Sequence, residues 1–143
     1  MSFVERLKAA RAAGDIRELI AAIPFSGWLG IGIERVEGEL LGRMRFADHI
    51  VGNPTLPAIH GGAIATLLES TAIAAVLWEE EPETLPRPVT LTFEYLRRGK
   101  PEDVWAAARI VRRGRRVCTV HVLAWQEDRE RPIAAANATL LLA

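Results

Sequence analysis

The longest continuous apolar stretch of the chain runs from Ala63 to Trp78, and it predicts a buried helix. Its residues are small, aliphatic or hydroxylic, with a single carboxylate, Glu69, in the middle. A surface helix keeps a polar face opposite its apolar stripe, whereas a helix that is apolar all round is buried. The stretch has nearly the length of a membrane span, but Glu69 would then lie in mid-bilayer, which is costly. We therefore predict a core helix.

Shorter periodic patterns lie on both sides of this helix. Two amphipathic patterns, residues 2–13 and 15–22, predict two short helices divided at Gly14-Asp15. Alternation of apolar and polar residues predicts strands at 31–37, 39–46, 89–96, 103–111, 116–126 and 132–142. Irregular connections are expected at 25–30 and 47–59. Strands before and after one long buried helix favour an α+β fold, in which an antiparallel sheet curves around that helix.

Composition narrows the class of protein further. The 143 residues suit one domain, and a formal net charge of zero gives no overall field to recruit nucleic acid or an anionic membrane. The single Cys118 excludes an intrachain disulfide framework, and the three histidines are too widely spaced for a metal signature. We predict no metal and no cofactor. Charged residues throughout 2–20 leave no apolar core for a signal peptide, so a cytoplasmic protein is expected.

The core helix carries two features that invite chemistry. At its start, Gly61 and Gly62 leave backbone N–H groups that a carbonyl or an anion can approach closely. Glu69 has no cationic residue three or four positions away, so burial should raise its pKa and make it a candidate base or nucleophile. The alternatives are a glycine pair kept for close packing and a glutamate hydrogen-bonded to neighbouring hydroxyls.

The spacing of these two features constrains the assembly. Gly61 and Glu69 are eight residues apart, which separates them by about 12 Å along one helix. A general base and an oxyanion donor must both reach the same reacting carbonyl. One helix cannot place both groups there, but two antiparallel helices across a two-fold axis can. If the chain is catalytic, it is therefore at least a dimer.

Several motifs in this order resemble the hotdog-fold acyl-CoA thioesterases, most closely the phenylacetate-pathway (PaaI-like) branch. The resemblance covers roughly residues 25 to 142, and we expect residues 1–24 to form an N-terminal helical extension and 25–143 the hotdog domain. Its most specific part is a His-Gly-Gly followed, nine residues after the histidine, by an acidic residue on an apolar helix. The residues that carry it are Asn53, His60-Gly61-Gly62, Glu69, 90–97 and 112–116.

The resemblance implies a role for four of these residues. The backbone N–H of Gly61 would polarise the thioester carbonyl, aided by the helix dipole. Glu69 would activate water or attack the carbonyl itself. Asn53 would orient the water or the thioester, and His60 would shape the pocket.

Further residues are candidates for holding the substrate. Gly62 adjoins the expected oxyanion donor. Pro88 stands where the family often has Ser or Thr, which leaves Thr90 or Thr92 as substitutes. Basic residues near strand ends and one turn could bind the phosphates of coenzyme A, because arginine suits bidentate phosphate binding; the alternative is solvated hairpin tips. They are Arg97, Arg98, Lys100, Arg112, Arg113, Arg115 and Arg116.

The function that these observations favour is hydrolysis of an acyl-CoA to a free acid and CoA. Coenzyme A enters only as part of the substrate, and no nucleic-acid or membrane partner is expected. The resemblance implies a homodimer, possibly a dimer of dimers. Two alternatives remain: a non-catalytic hotdog domain that binds acyl-CoA or another ligand, and a hotdog hydratase or dehydratase in which His60 and Glu69 share proton transfer.

Overall fold

The computed structural model describes residues 2–21, 23–80, 82 and 84–142. Its helices are α1 (Phe3–Ala13), α2 (Arg17–Ala21), α3 (Pro24–Trp28) and α4 (Gly61–Glu79). Its strands are β1 (Ile31–Val36), β2 (Glu39–Met44), β3 (Val51–Asn53), β4 (Ala58–Ile59), β5 (Arg87–Tyr95), β6 (Val104–Arg113), β7 (Val117–Trp125) and β8 (Ala134–Leu141).

Six of the strands form one antiparallel sheet in the order β1-β2-β6-β7-β8-β5, while β3 and β4 pair as a small ribbon. The long helix α4 packs on one face of the sheet. This arrangement confirms the predicted α+β fold with one central helix. The strands β1 and β5 are the two edges of the sheet.

The core lies between α4 and the inner face of the sheet. Leu67 and Leu68 on the helix and Val120 and Val122 on β7 are all fully buried. Each buried aliphatic side chain of this kind contributes about 1.5–3 kcal/mol. The helix approaches β2 so closely at Gly42 that a Cβ there would lie 2.1 Å from Oγ1 of Thr71. A glycine is therefore required where the helix crosses this strand.

The N-terminal helices pack on the back of the same core. Leu7, Ile16 and Ile20 form a second buried cluster with Ile33 of β1 and Leu77 of α4. The predicted division of the two helices is confirmed, because Gly14 ends α1 in the left-handed conformation with φ of 70°. Residue 22, the predicted end of the second helix, lies outside the described residues. The boundary at residue 24 stays a prediction.

Two predicted connections contain regular structure, so those predictions were wrong in part. Residues 25–30 include most of α3, which begins at Pro24, a residue well suited to the first turn of a helix. The segment 47–59 contains a 3₁₀ turn at Asp48–Ile50 and the ribbon of β3 and β4. Such short elements have no hydrophobic period to read, because they are held by contacts with distant segments.

By length and composition, α4 is the one helix in the described ranges that is apolar enough to cross a membrane. Of its most apolar window, 61% is buried against the rest of the chain. The sheet therefore accounts for its hydrophobicity, as the position of Glu69 indicated.

Candidate active site

The start of α4 presents one free backbone donor. His60 caps the helix, since its Nδ1 accepts a hydrogen bond from the N–H of Gly62 at 2.8 Å. The carbonyl oxygen of His60 accepts from the N–H groups of Ala63 and Ile64 at 3.0 and 3.3 Å. Among the described residues, nothing accepts from the N–H of Gly61. Of the N–H groups in the first helical turn, that of Gly61 is therefore available to a ligand, and the helix dipole makes it a stronger donor.

A tyrosine fastens this donor in place. The hydroxyl of Tyr95, at the end of β5, donates to the carbonyl oxygen of Gly61 at 2.9 Å. Its ring also lies against Gly61, where a Cβ would be 3.3 Å from the ring carbons. Sequence analysis did not assign Tyr95 a role, because the 34 residues between it and Gly61 conceal the contact. Its position at the end of an alternating strand was the only signal.

Glu69 lies midway along α4 and is half-buried. No described residue donates a hydrogen bond to its carboxylate, and desolvation by burial raises its pKa above the ordinary value for glutamate. The direction of this shift agrees with the prediction from sequence. The alternative of a carboxylate bonded to neighbouring hydroxyls has no support, because Thr66 and Thr71 both donate to helix carbonyls.

Glu69 belongs to the least buried face of α4. The residues of this face are partly or fully exposed and recur at helical spacing, while the remaining faces of the helix are buried through its first four turns. They are Gly62, Ala65, Thr66, Glu69 and Ile73. A largely apolar helix thus leaves one narrow face uncovered in the single chain.

Asn53 lies at the end of β3, in the ribbon that abuts the helix start. The N–H of His60 donates to the carbonyl of Ile50 at 2.8 Å, and a Cβ on Gly52 would lie 2.7 Å from Cα of His60. The Oδ1 atom of Asn53 accepts from the loop N–H groups of residues 55 and 56, at 3.0 and 3.3 Å. The structure therefore brings Asn53 to His60 and leaves its Nδ2 group to donate.

The two threonines lie on the other face of the sheet. Thr90 and Thr92 are paired with Thr139 and Asn137 of β8, whereas the intervening Leu91 is paired with a buried alanine that faces α4. Alternation along the strand thus directs both threonines away from the helix. The structure does not bring them to Gly61 or Glu69 of the same chain.

The four hairpin arginines, Arg112, Arg113, Arg115 and Arg116, lie where β6 turns into β7. Nε of Arg113 donates to Oε2 of Glu80 at 2.8 Å, and Glu80 directly follows α4. Gly61 is about 28 Å away at the opposite end of that helix. Within one chain, these arginines cannot contact a ligand held at Gly61 unless it spans the whole helix.

A single chain therefore carries two halves of a hydrolytic site. It offers a free N–H at Gly61 and a desolvated carboxylate at Glu69, about 12 Å apart on one helix. Within the described part of the chain, no group of three or more His, Cys, Asp or Glu side chains is placed to hold a metal.

Comparison with known proteins agrees with this chemistry. A family model described as the acyl-CoA thioesterase N-terminal domain matches residues 52–141. The chain is 30% identical over 150 aligned positions to the medium/long-chain acyl-CoA thioesterase YigI of Escherichia coli K12, and the alignment covers 94% of each protein.

Solved structures share the fold. A protein from Chromobacterium violaceum is 31% identical, with a TM-score of 0.79 and 97% of each chain covered. The BH2602 protein from Bacillus halodurans, whose structure was solved with CoA, has a TM-score of 0.78 at 20% identity, with 99% of this chain and 91% of that chain covered. The family match, the relative and the shared fold together show that this chain belongs to the hotdog-fold acyl-CoA thioesterases.

Proposed function

We propose that this chain hydrolyses acyl-CoA in a site built by two subunits, with Gly61 from one and Glu69 from its partner. Family membership makes the chain a thioester hydrolase. The observation that carries the shared site is the separation of the free Gly61 N–H from the desolvated Glu69 carboxylate along one helix. Antiparallel packing of two such helices brings each group to the other subunit's counterpart.

The proposed reaction begins with the thioester oxygen at the Gly61 N–H. Glu69 of the partner subunit takes a proton from water as the water oxygen bonds to the carbonyl carbon. The negative charge that develops on the thioester oxygen is stabilised by the Gly61 donor and the helix dipole. The tetrahedral intermediate collapses, the C–S bond breaks, and the CoA sulfur receives the proton that Glu69 held. The products are a carboxylic acid and CoA.

The environment of Glu69 supports a base rather than a spectator. A carboxylate with a raised pKa holds a proton more readily, which suits general-base catalysis nearer to neutral pH. The hydratase alternative also needs His60 as an acid or base. Its Nδ1 lone pair is already engaged by the N–H of Gly62, so His60 is better suited to fixing the helix start.

Two exposed surfaces support a homodimer. One is the uncovered face of α4 that contains Glu69. The other is β5, which pairs with β8 on one side and is an edge of the sheet on the other. Its Val89 and Tyr95 are 62% and 55% exposed. An open strand edge is a template for pairing with another chain, and a second copy of β5 would continue the sheet.

The finer details of the substrate and assembly are part of this proposal. We take medium- and long-chain acyl-CoAs as the first substrates to test, because these are named for the relative from Escherichia coli. The four hairpin arginines reach such a substrate only from the partner subunit. The enzyme acts in the cytoplasm, without a metal or cofactor, and a dimer of dimers is the larger assembly to examine.

The test is a screen of acyl-CoAs of increasing chain length, with release of the CoA thiol measured at micromolar enzyme. We expect turnover that rises with chain length and that is lost in the Glu69→Gln variant. Binding of acyl-CoA without any thiol release would instead identify a ligand-binding domain.

A further inference from the structure

A groove of about 410 Å³ lies beside the helix start and is lined mainly by cations. Four basic side chains line it, Arg97, Arg98, Lys100 and Arg131, which we name the basic groove. Two carboxylates, those of Glu127 and Asp128, also line it, which leaves a formal charge of +2 (four positive minus two negative).

Most of this positive charge is not neutralised by ion pairs within the described part of the chain. Lys100 pairs with Glu127 at 3.5 Å. Arg97 and Arg98 instead donate to backbone carbonyls, those of Pro132 at 2.7 Å and Leu56 at 3.1 Å. Carbonyl contacts orient a guanidinium without cancelling its charge, so further N–H groups of both arginines can bind an anion.

The same segment is attached directly to the helix start. The carbonyl of Gly99, between Arg98 and Lys100, accepts the N–H of Ile59 at 2.9 Å. A Cβ on Gly99 would lie 3.3 Å from Cβ of Ile59, so the segment lies directly against the chain that leads into α4. The basic groove is therefore fixed relative to Gly61, at the end of the sheet opposite to the hairpin arginines.

We propose that the basic groove binds the 3′-phosphorylated ADP group of the acyl-CoA whose thioester lies at Gly61 of the same chain. This inference rests on the proposed function. The pantetheine arm separates the thioester from the phosphates, so the phosphates need a cationic surface near the helix start but outside the catalytic centre. Paired guanidinium groups match the geometry and charge of phosphate oxygens.

The experiment compares three double variants, each changing the net charge by the same amount. Arg98→Glu/Arg131→Glu reverses charge in the basic groove, and Arg112→Glu/Arg115→Glu does so in the hairpin. Arg6→Glu/Lys8→Glu, on exposed positions of α1, is the matched control. Each is assayed with an acyl-CoA and with the same acyl group on N-acetylcysteamine, a thioester without the nucleotide.

We expect the groove variant to raise KM for the acyl-CoA by about tenfold or more, since bonds to charged groups are strong. Its kcat/KM for the N-acetylcysteamine thioester should stay within about twofold of wild type. Because Arg98 also donates to Leu56, a neutral Arg98→Gln/Arg131→Gln variant, which keeps a donor there, should show a smaller rise. The rise should also weaken with added salt.

Direct binding separates failure of this inference from failure of the proposed function. Calorimetry with adenosine 3′,5′-bisphosphate should show binding to wild type and loss in the groove variant, whether or not any thioester is hydrolysed. Inorganic phosphate and adenosine serve as separate ligands, and comparable affinity for phosphate alone would identify a general anion site. The inference is overturned if the hairpin variant, and not the groove variant, loses the nucleotide and raises KM.

Discussion

At the scale of single residues, the carboxylate of Glu69 is the decisive group. We expect Glu69→Gln to lower kcat/KM for acyl-CoA by about 100-fold or more, because loss of a general base typically has this effect. Glu79→Gln, an exposed glutamate at the end of the same helix, is the matched control and should retain full activity. Activity of Glu69→Gln within a few-fold of wild type, in a folded dimer, would mean that Glu69 is structural.

The raised pKa of Glu69 also predicts a pH dependence of stability for the same variant. A carboxyl group whose pKa is higher in the folded state binds its proton more tightly there, so unfolding free energy falls as pH rises through the ordinary and then the raised value. Thermal melts should therefore show Glu69→Gln at least as stable as wild type at neutral pH. The difference should vanish below the ordinary pKa, and kcat/KM of wild type should rise with pH over the same window.

The hydroxyl of Tyr95 offers a second test at this scale. Tyr95→Phe keeps the ring against Gly61 but removes the hydrogen bond to its carbonyl. We expect kcat to fall about 3- to 10-fold, the equivalent of one hydrogen bond, with KM unchanged. Such a split is typical of a positioning residue, since an orientation error at the donor affects the transition state most. A rise in KM at constant kcat would instead indicate contact with the bound substrate.

At the scale of elements, the edge strand β5 determines whether two chains can join. Val89 is 62% exposed at an irregularity in β5, and Val111 is 52% exposed at a similar irregularity in β6. We expect Val89→Lys to shift the protein toward monomers and to lower activity on dilution, because lysine protects a strand edge from pairing. Val111→Lys is the matched control on a central strand. An active Val89→Lys monomer, seen by sedimentation, would contradict a site shared through this edge.

The elements also show what sequence could and could not predict. The long apolar period around Glu69 specified α4 and its burial, and alternation specified the six strands of the sheet. The contact of Tyr95 with Gly61 and the ribbon beside His60 were not predicted, since both depend on long-range pairing. Alternation did assign Thr90 and Thr92 to one face of β5, but only the position of α4 shows that this face points away from the helix.

At the scale of the whole molecule, the spacing on α4 turns a question of mechanism into one of assembly. The free donor at Gly61 and the carboxylate of Glu69 lie about 12 Å apart, so neither chain alone can hold one carbonyl between them. The uncovered face of α4 and the open edge of β5 are both available to a second copy. Each dimer would then contain two equivalent sites, every one of them formed by both subunits.

This arrangement predicts complementation between two inactive variants, Glu69→Gln and Gly61→Pro. Proline has no N–H to donate but is tolerated in the first turn of a helix. After co-refolding, a heterodimer has one site with both lesions and one with neither. Random pairing gives about half heterodimers, so about a quarter of wild-type activity should return. Gly61→Ala, which keeps the N–H beside Tyr95, is the control for added bulk and should be more active than Gly61→Pro.

Recovery should follow subunit exchange and not simple mixing of preformed dimers. Differently tagged chains, purified as heterodimers, allow activity to be measured on a population in which every molecule is mixed. In that population about half of the wild-type activity is expected, since one of two sites is intact. Because the two lesions lie on the same helix, an intact site can arise only when Gly61 and Glu69 come from different chains. Inactive heterodimers that are folded and demonstrably mixed would place both groups of one site within a single subunit, and the two-fold arrangement would then be wrong.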